Sequence, residues 1–293
     1  MQPSLPATDT QEAAAIARTL RYPPSAARVL PLLKHLLQDM DVSTFRIADA
    51  IRLDPGIAAR VLHAANSVIY NRGERCTSVA AAVNMIGLEN IYEMVANAVA
   101  EQVLVIPLAA YSLEAEEFWL RSVTTAIAAE QIADRRELDH NVAYTLGLLS
   151  GIGMVAIDQW IRVSQANVAL FKRDFPRDYS DSERVLLGCT NADVGALVLQ
   201  SWDFPPEMSL PVRWQYNPWD SRGHRQLSAM LFCAKWVSAQ ACRTDGQTAA
   251  PPDSRALAAI NLSPQQLTPL VRDVRTRLRE VQRQLDFQPL EAA

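Results

Sequence analysis

The sequence predicts an all-α fold, and two observations support this prediction. Apolar residues recur at the helical period of about 3.6 residues in nearly every segment. No stretch combines a sustained apolar–polar alternation with flanking turn residues, which is the pattern typical of strands. The 293 residues are enough to bury a core without disulfides or a structural metal. We therefore expect a compact multi-helix body with two helical lobes and a further amphipathic helix near the C-terminal end.

Composition and charge indicate an ordinary soluble globular protein. The chain is 49% hydrophobic and 20% charged, which argues against disorder over most of its length. Its net charge of −4 is mild and predicts no general attraction to nucleic acid or anionic lipid. The first residues lack the pattern of a signal peptide, and no apolar run reaches the roughly 18 uncharged residues of a membrane span. We expect a cytoplasmic protein with no membrane partner.

The first half of the chain carries clear helix signals. Residues 1–18 are expected to form a loose tail that runs into a first helix. A second helix is predicted over 25–40, where an apolar stripe repeats at the helical spacing. Asp54 and Pro55 predict a helix start, because aspartate caps and proline fits the first helical position. A connecting loop is expected from Asn66 to Thr77. The stripe of the helix over 25–40 consists of Val29, Leu32, Leu33, Leu36, Leu37 and Met40.

The second half shows three pairs of residues at the spacing at which two side chains cap one helix start. These pairs are Ser180 with Glu183, Thr190 with Asp193, and Ser263 with Gln266. Two long connections are also expected, one over 204–222, rich in proline and aromatic residues, and one over 244–253, which opens a linker over 244–262. The linker leads into a separate C-terminal helix.

That C-terminal helix, expected from Ser263 to about Leu285, has two interpretations. Its apolar residues step by four and three, as in a short heptad seam. The seam either packs back on the body or serves as a dimerisation or docking face. Five arginines make the helix basic, but it has no aromatic residue to stack on bases, so a solvated face is preferred over a nucleic-acid site. The seam consists of Leu267, Val271, Val274, Leu278, Val281 and Leu285.

The stretch from Leu53 to Ile91 closely resembles the signature of the HDOD family of bacterial signalling proteins. The matching features are Asp54-Pro55, Ala65-Asn66-Ser67, Thr77-Ser78 and Ile86-Gly87-Leu88. Weaker matches continue downstream to about residue 242. The resemblance implies a domain over 19–243, divided into an N-terminal helical lobe over 19–110 and a second lobe over 111–243. A linker over 244–262 and a C-terminal segment over 263–293 complete this organisation.

HDOD proteins resemble HD-type phosphohydrolases, in which histidine and aspartate ligands hold divalent metals and leave a position open for water. Here the positions that correspond to those ligands carry other residues. These are Arg121, Ser150, Gly151, Asn191, Gln215 and Tyr216, with Asp193 beside them. An arginine would repel a divalent cation. We therefore expect no catalytic residue, no metal and no cofactor, and we interpret these seven residues as a vestigial pocket able to hold a ligand.

Several other features of the sequence do not indicate a catalytic, metal or nucleotide site. The four histidines, His35, His63, His140 and His224, are scattered and do not replace the missing ligands. The four cysteines show no metal-binding spacing and are interpreted as reduced thiols. Gly151-Ile152-Gly153 lacks the preceding strand of a nucleotide fingerprint and indicates close helix packing instead. Trp202 is expected in the core. The aromatic residues Trp214, Tyr216 and Trp219 are either packed against the core or available for binding.

The leading hypothesis is a non-catalytic regulatory protein of bacterial signal transduction, connected with stress, motility or virulence control and acting by recognition of a protein partner. Candidate contacts are Trp214, Trp219, Leu267, Val271, Val274 and Leu278, the last four also allowing a homodimer. An alternative is a sensor of a phosphorylated small molecule or nucleotide second messenger, with Arg121 supplying a charge-assisted contact. A residual metal-dependent phosphohydrolase that uses Asp158, Glu183 or Asp193 ranks below both, as does a nucleic-acid-binding role of the last helix.

Overall fold

The computed structural model of the chain is all-α, as the sequence predicts. It describes residues 7–20, 42–71, 73, 75–91, 107–136, 138–165, 178–243 and 249–286, together with positions 29, 32, 33, 36, 94 and 170. This part of the chain contains thirteen α-helices. Within these ranges, β-type pairing is limited to one isolated antiparallel bridge between Leu108 and Leu113.

The helices are numbered in chain order. They are α1 (Ala7–Ala17), α2 (Thr44–Arg52), α3 (Pro55–Asn66), α4 (Val79–Ile86), α5 (Ala115–Asp134), α6 (His140–Leu149), α7 (Ile152–Ser164), α8 (Ser180–Leu187), α9 (Asn191–Ser201), α10 (Pro206–Arg213), α11 (Arg225–Cys242), α12 (Ser254–Ala259) and α13 (Leu267–Asp286). Short 3₁₀ turns occur at Ala109–Tyr111, Pro218–Asp220 and Pro264–Gln266.

Helices α2, α3 and α4 pack on one another and form the first lobe. Each begins at a residue whose side chain accepts a backbone N–H of the first turn: Ser43, Asp54 and Ser78. The predicted start at Asp54 and Pro55 is confirmed. Of the helix predicted over 25–40, the described positions Val29, Leu32, Leu33 and Leu36 are helical, and the remaining positions, His35 among them, lie outside the described residues.

The second lobe is built on α5, which packs along both α6 and α11, and on the pair α7 and α9. Two glycines allow these close approaches. A Cβ on Gly147 would lie 2.6 Å from the Ala126 Cα, and a Cβ on Gly153 would lie 1.9 Å from the Asn191 carbonyl oxygen. The close helix packing predicted for the glycine pair of this segment is therefore present at Gly153. It brings Asn191, at the start of α9, against the start of α7.

Two details of the predicted second half are wrong and one is confirmed. Helix α8 begins after Tyr179 without a side-chain cap, because Glu183 is buried and bonded to other residues instead. The segment over 204–222 is not irregular, because α10 starts there with Pro206 in its first turn and tolerates Pro211 inside. Thr190 and Asp193 do form the predicted reciprocal cap at α9.

The C-terminal segment packs on the body. Helix α13 lies along α5 and α11, and its seam residues Leu267, Val274 and Leu278 are buried. Ser263 and Gln266 cap each other as predicted, although they open a 3₁₀ turn before α13. Within the linker predicted over 244–262, the short helix α12 also packs against α11. Of the two interpretations of the seam, the structure shows packing against the chain's own body.

One segment meets the length and composition of a membrane span. It covers His140 to Ser164, which is α6, the turn after it and α7, and 78% of its most apolar window is buried inside the fold. This burial is what a core segment of a water-soluble protein would show.

Candidate functional site

A cleft of about 70 Å³ lies between α5, the junction of α6 and α7, and α11. It is large enough for several water molecules, since one water needs roughly 10–15 Å³. Two of its lining residues are cationic, Arg121 on α5 and Lys235 on α11, and we call it the cationic cleft. Its full lining is Phe118, Arg121, Ser122, Thr125, Ser150, Gly151, Met154, Lys235, Ser238, Ala239 and Cys242.

Arg121 is held in place on one side of its guanidinium group. Its Nη2 donates to Asp178 Oδ2 at 2.8 Å, an ion pair with a buried aspartate. Its Nη1 is buried and has no hydrogen-bond partner among the residues that the structure describes. A buried donor without an acceptor is uncommon in folded proteins and calls for a physical explanation. Arg121 therefore lines the cleft and retains an unsatisfied charged donor beneath its surface.

Lys235 is the second cation of the cleft. Its Nζ donates to Gln215 Oε1 and to Tyr216 Oη, both at 2.7 Å, and lies 4.0 Å from the centre of the Tyr216 ring. Removal from water lowers the pKa of this ammonium group to about 7, and the charge of Arg121 adds to the lowering, while Asp178 and Glu183 oppose it. A lysine with this pKa exchanges its proton near neutral pH.

A chain of hydrogen bonds leads from Lys235 to the first residue of α9 and to α8. Tyr216 Oη donates to Asn191 Oδ1 at 3.2 Å, and Asn191 donates its backbone N–H and its side-chain amide to Glu183 at 2.7 to 2.9 Å. Tyr111 Oη donates to the same carboxyl group at 2.7 Å. We call these five residues the buried network.

Glu183 is the acidic end of the buried network. Burial raises the pKa of its carboxyl group to about 7, even though the hydrogen bonds from Asn191 and Tyr111 favour the ionised form. The carboxyl group is fully enclosed and accepts from donors on two other segments. The buried network therefore has a titratable group at each end, one basic and one acidic.

Six of the seven residues of the predicted vestigial pocket are brought together. Arg121, Ser150 and Gly151 line the cationic cleft. Gln215 bonds both Lys235 and the Ser150 carbonyl oxygen, at 2.7 and 3.2 Å. Tyr216 and Asn191 belong to the buried network.

Asp193 does not belong to this group. Its carboxylate accepts from the backbone N–H and the hydroxyl of Thr190 at 3.1 and 2.8 Å, and lies 3.8 Å from Arg184. The inclusion of Asp193 in the pocket was therefore wrong, because this side chain is occupied in capping α9.

Two residues that matter most for the electrostatics were missed from the sequence. Asp178 stands in a segment without a motif, and nothing local indicates that it meets Arg121. Lys235 did leave a signal, because it is a lysine in the otherwise apolar run from Met230 to Val237. A charged residue on the buried side of a core helix is seldom found without a partner or a role.

The predicted partner-binding residues lie on other parts of the body. Trp214 and Trp219 are half-buried, and each is approached by an arginine, Arg213 at 5.4 Å and Arg255 at 4.2 Å from the ring centre. The seam residues Leu267, Val274 and Leu278 are buried, and Val271 packs partly against the core. A homodimer through this seam would require α13 to leave α5 and α11.

The donor set of the cleft does not fit a divalent metal. The guanidinium group of Arg121 offers no lone pair, and it and the protonated form of Lys235 repel a cation. Within the described residues, no group of three or more histidine, cysteine, aspartate or glutamate side chains could hold a metal ion. The chemistry that this arrangement can perform is the recognition of negative charge.

Comparisons with known proteins agree with the helical architecture. The sequence profile of the HDOD domain matches residues 24–218. The response regulator MmoQ from Methylococcus capsulatus has a crystal structure that matches with a TM-score of 0.66 and 18% identity, over 85% of this chain and 97% of that one. A virulence factor from Campylobacter jejuni matches with a TM-score of 0.65 and 17% identity, over 91% and 99%.

A curated sequence relative, an uncharacterised protein from Treponema pallidum, is 22% identical over 215 residues, which are 71% of this chain and 40% of the relative. The chain thus spans less than half the length of that relative. At these identities the two solved structures establish a shared fold.

Proposed function

The chain belongs to the HDOD domain family, and from this premise we propose that it is a regulatory protein of bacterial signal transduction that acts by recognition and not by catalysis. The proposal includes a protein partner in a signalling pathway and a cytoplasmic location. The alternative that assigns a ligand to the pocket is compatible with it, because recognition of a small molecule is a common input to a regulatory protein.

One observation supports a non-catalytic role above the others. The cleft that the family resemblance equates with the metal site of HD-type enzymes is lined by Arg121 and Lys235. Metal-dependent hydrolysis needs several ligands that donate lone pairs and an open position for water. Gln215, Tyr216 and Asn191, which the family resemblance places at positions of metal ligands, are already bonded to one another or to Lys235 and Glu183.

The name of one similar protein agrees with a regulatory role, and the name of another with a role in virulence. One protein is described as a response regulator and the other as a virulence factor. These names describe those proteins, and they support the present proposal through the common fold alone. A connection with stress, motility or virulence control is part of the proposal on the same basis.

The surface available for a partner is that of the assembled body. The seam of α13 is covered by α5 and α11, so the half-buried rings of Trp214 and Trp219 remain the better-placed candidates of the predicted set. Aromatic side chains with a partly exposed face are enriched at interface hot spots.

Metal content and hydrolysis test the proposal directly. The purified full chain is analysed for bound Mn²⁺, Fe²⁺ and Zn²⁺ after dialysis and is assayed with phosphomonoesters and phosphodiesters in the presence of Mn²⁺. We expect substoichiometric metal and no turnover above the buffer blank. Stoichiometric metal together with turnover that the Asp158→Asn, Glu183→Gln or Asp193→Ala variant abolishes would show an enzyme and end the proposal.

A further inference from the structure

We propose that the cationic cleft binds one tetrahedral oxyanion of the phosphate class between Arg121 and Lys235, either as the free ion or as the phosphoryl group of a larger ligand. This inference rests on the proposed function, because it assigns a ligand to the site where recognition replaces metal chemistry. It also names two residues as direct contacts, one of which the sequence did not indicate.

Arg121 supplies the first contact. Its Nη2 is fixed by Asp178, which holds the guanidinium plane, while the buried Nη1 lacks an acceptor in the described part of the chain. Guanidinium groups bind phosphate oxygens through charge-assisted hydrogen bonds, which are about twice as strong as neutral ones. An oxyanion in the cleft would accept from the guanidinium group, and a small rotation of that group would bring Nη1 to the ligand and satisfy its donor.

Lys235 supplies the second contact. An ammonium group has three donors, and the described chain occupies two of them, with Gln215 Oε1 and Tyr216 Oη. These two bonds orient the ammonium group and leave one proton for a ligand. Gln215 is itself held by its amide bond to the Ser150 carbonyl oxygen, so the position of Lys235 is set in advance of binding.

The charge balance around Lys235 favours an anion below about pH 7, where Lys235 is mostly charged and Glu183 is mostly neutral. The charged groups that act on Lys235 are Arg121 of α5, Asp178 before α8 and Glu183 of α8. Two further titratable groups are close to it, since Tyr216 bonds it and Cys242 lines the same cleft. Of the acidic groups, Asp178 is paired with Arg121, and the raised pKa of Glu183 leaves it partly neutral at pH 7.

The start of α7 in the wall of the cleft adds a weaker positive electrostatic potential. Helix α7 starts at this wall, where Gly151 is its N-cap and makes no side-chain cap. The first turn of a helix carries a partial positive charge that stabilises anions. The volume of about 70 Å³ accommodates one small oxyanion and leaves the remainder of a larger ligand outside.

Binding is expected to be coupled to a proton. An anion next to Lys235 favours the ammonium form, whose pKa lies near 7 in the free protein. Affinity should therefore weaken as the pH rises above 7, by up to about tenfold per pH unit when one proton is linked to binding.

Isothermal titration of the full chain with inorganic phosphate at pH 6 tests the contacts. We expect one saturable site, with a Kd at least about tenfold higher in Arg121→Met and in Lys235→Met, which corresponds to the loss of one charge-assisted contact. The matched control is Arg279→Met on the exposed face of α13, which should bind as the wild type does. Circular dichroism and the melting temperature establish that each variant is folded.

The dependence of affinity on pH is measured with inorganic sulfate, because the charge of sulfate is constant over the range in which phosphate titrates. The wild type should lose affinity between pH 6 and 9, and Lys235→Arg, whose charge is permanent, should lose far less. This variant keeps the test decisive if Lys235→Met does not fold. Absence of saturable binding in the wild type, or equal binding by all variants, would overturn the inference.

Two further ligands identify the source of the oxyanion. If a nucleoside monophosphate displaces bound sulfate at a lower concentration than phosphate does, the oxyanion is the phosphoryl group of a larger ligand. If both displace sulfate at the same concentration, the ligand is the free ion. A cyclic dinucleotide provides the diester comparison. Failure of every anion to bind would leave the non-catalytic proposal standing, because that proposal fails on metal content and turnover instead.

Discussion

Helices α5 and α11 each carry two surfaces of opposite character. One surface forms the cationic cleft, where Arg121 and Lys235 lie beside buried polar groups. The other is covered by α13, whose seam residue Val274 and the neighbouring Leu270 are almost completely buried. The same two helices therefore carry one polar, charged surface and one apolar surface.

The difference separates stability from function. Burial of an apolar side chain contributes roughly 1.5–3 kcal/mol, so the seam of α13 stabilises the domain. Removing a lysine and a glutamate from water costs free energy, as their displaced pKa values indicate. A group that is buried at such a cost is a candidate for a functional role. Substitutions in the packed helices should therefore change stability most, and substitutions of the buried titratable groups should change its dependence on pH.

Gly153→Ala should destabilise the protein most, by about 3 kcal/mol or more. A Cβ at this position would meet the Asn191 carbonyl oxygen at 1.9 Å, so α7 and α9 would have to separate and the buried network would be displaced. Urea unfolding monitored by tryptophan fluorescence measures the change. Gly151→Ala is the control, because its Cβ would meet only the Phe118 ring at 2.9 Å, and that side chain can move. Equal effects of the two substitutions would contradict the argument.

Leu270→Ala should remove about 3 kcal/mol from the free energy of unfolding, since Leu270 lies beside the seam residues of α13 and is 1% exposed. Thr268→Ala, at an exposed position of the same helix, should change it by less than about 0.5 kcal/mol. The measurement is again urea unfolding, together with size-exclusion chromatography. If Leu270→Ala left stability unchanged and altered only the oligomeric state, the seam would be an interface between chains.

Lys235→Met should flatten the dependence of stability on pH above neutrality. The pKa of Lys235 is about 7 in the folded chain and near 10.5 when the lysine is exposed. Between these values the unfolded state binds more protons, so the stability of the wild type rises with pH, by at most about 1.4 kcal/mol per unit. Thermal unfolding at pH 7, 8 and 9 records the slope. A variant with the slope of the wild type would show that Lys235 is not the titrating group.

Glu183→Gln should act on the acidic side of neutrality. The pKa of Glu183 is about 7 in the folded chain and 4.5 when exposed, so the folded state binds more protons between pH 4.5 and 7. Its contribution to stability is therefore present at low pH and is lost as the pH rises through 7. Thermal unfolding between pH 5 and 7 should show a smaller decrease in the variant. Asp49→Asn, at a partly exposed position, is the control.

Asp273→Asn should have the smallest effect, below about 1 kcal/mol. The Asp273 carboxylate pairs with Arg135 at 2.9 Å, but both side chains are more than a third exposed. The difference from the wild type should shrink further in 0.5 M salt, because ions screen exposed pairs. An effect that persists at high salt would indicate that α13 depends on this pair as well as on its apolar seam.

The apolar surface was predictable from the sequence, and the cleft was predictable only in part. The seam of α13 and the start at Asp54 follow from spacing and from capping chemistry, which are local properties. The positions of Arg121, Ser150 and Gln215 came from the family resemblance. Lys235 and Asp178 were missed because their roles depend on contacts with segments distant in the chain.

Arg275 of α13 bonds the C-terminal end of α11. Its guanidinium group donates to the carbonyl oxygens of Gln240, Ala241 and Arg243, the last acceptors of α11, at 2.7 to 3.3 Å. Helix ends leave such carbonyl groups unsatisfied unless another group bonds them. A chain shortened at residue 218, where the family match stops, would lose α11 and with it one wall of the cleft. We therefore expect a fragment that keeps the site intact to extend through α13.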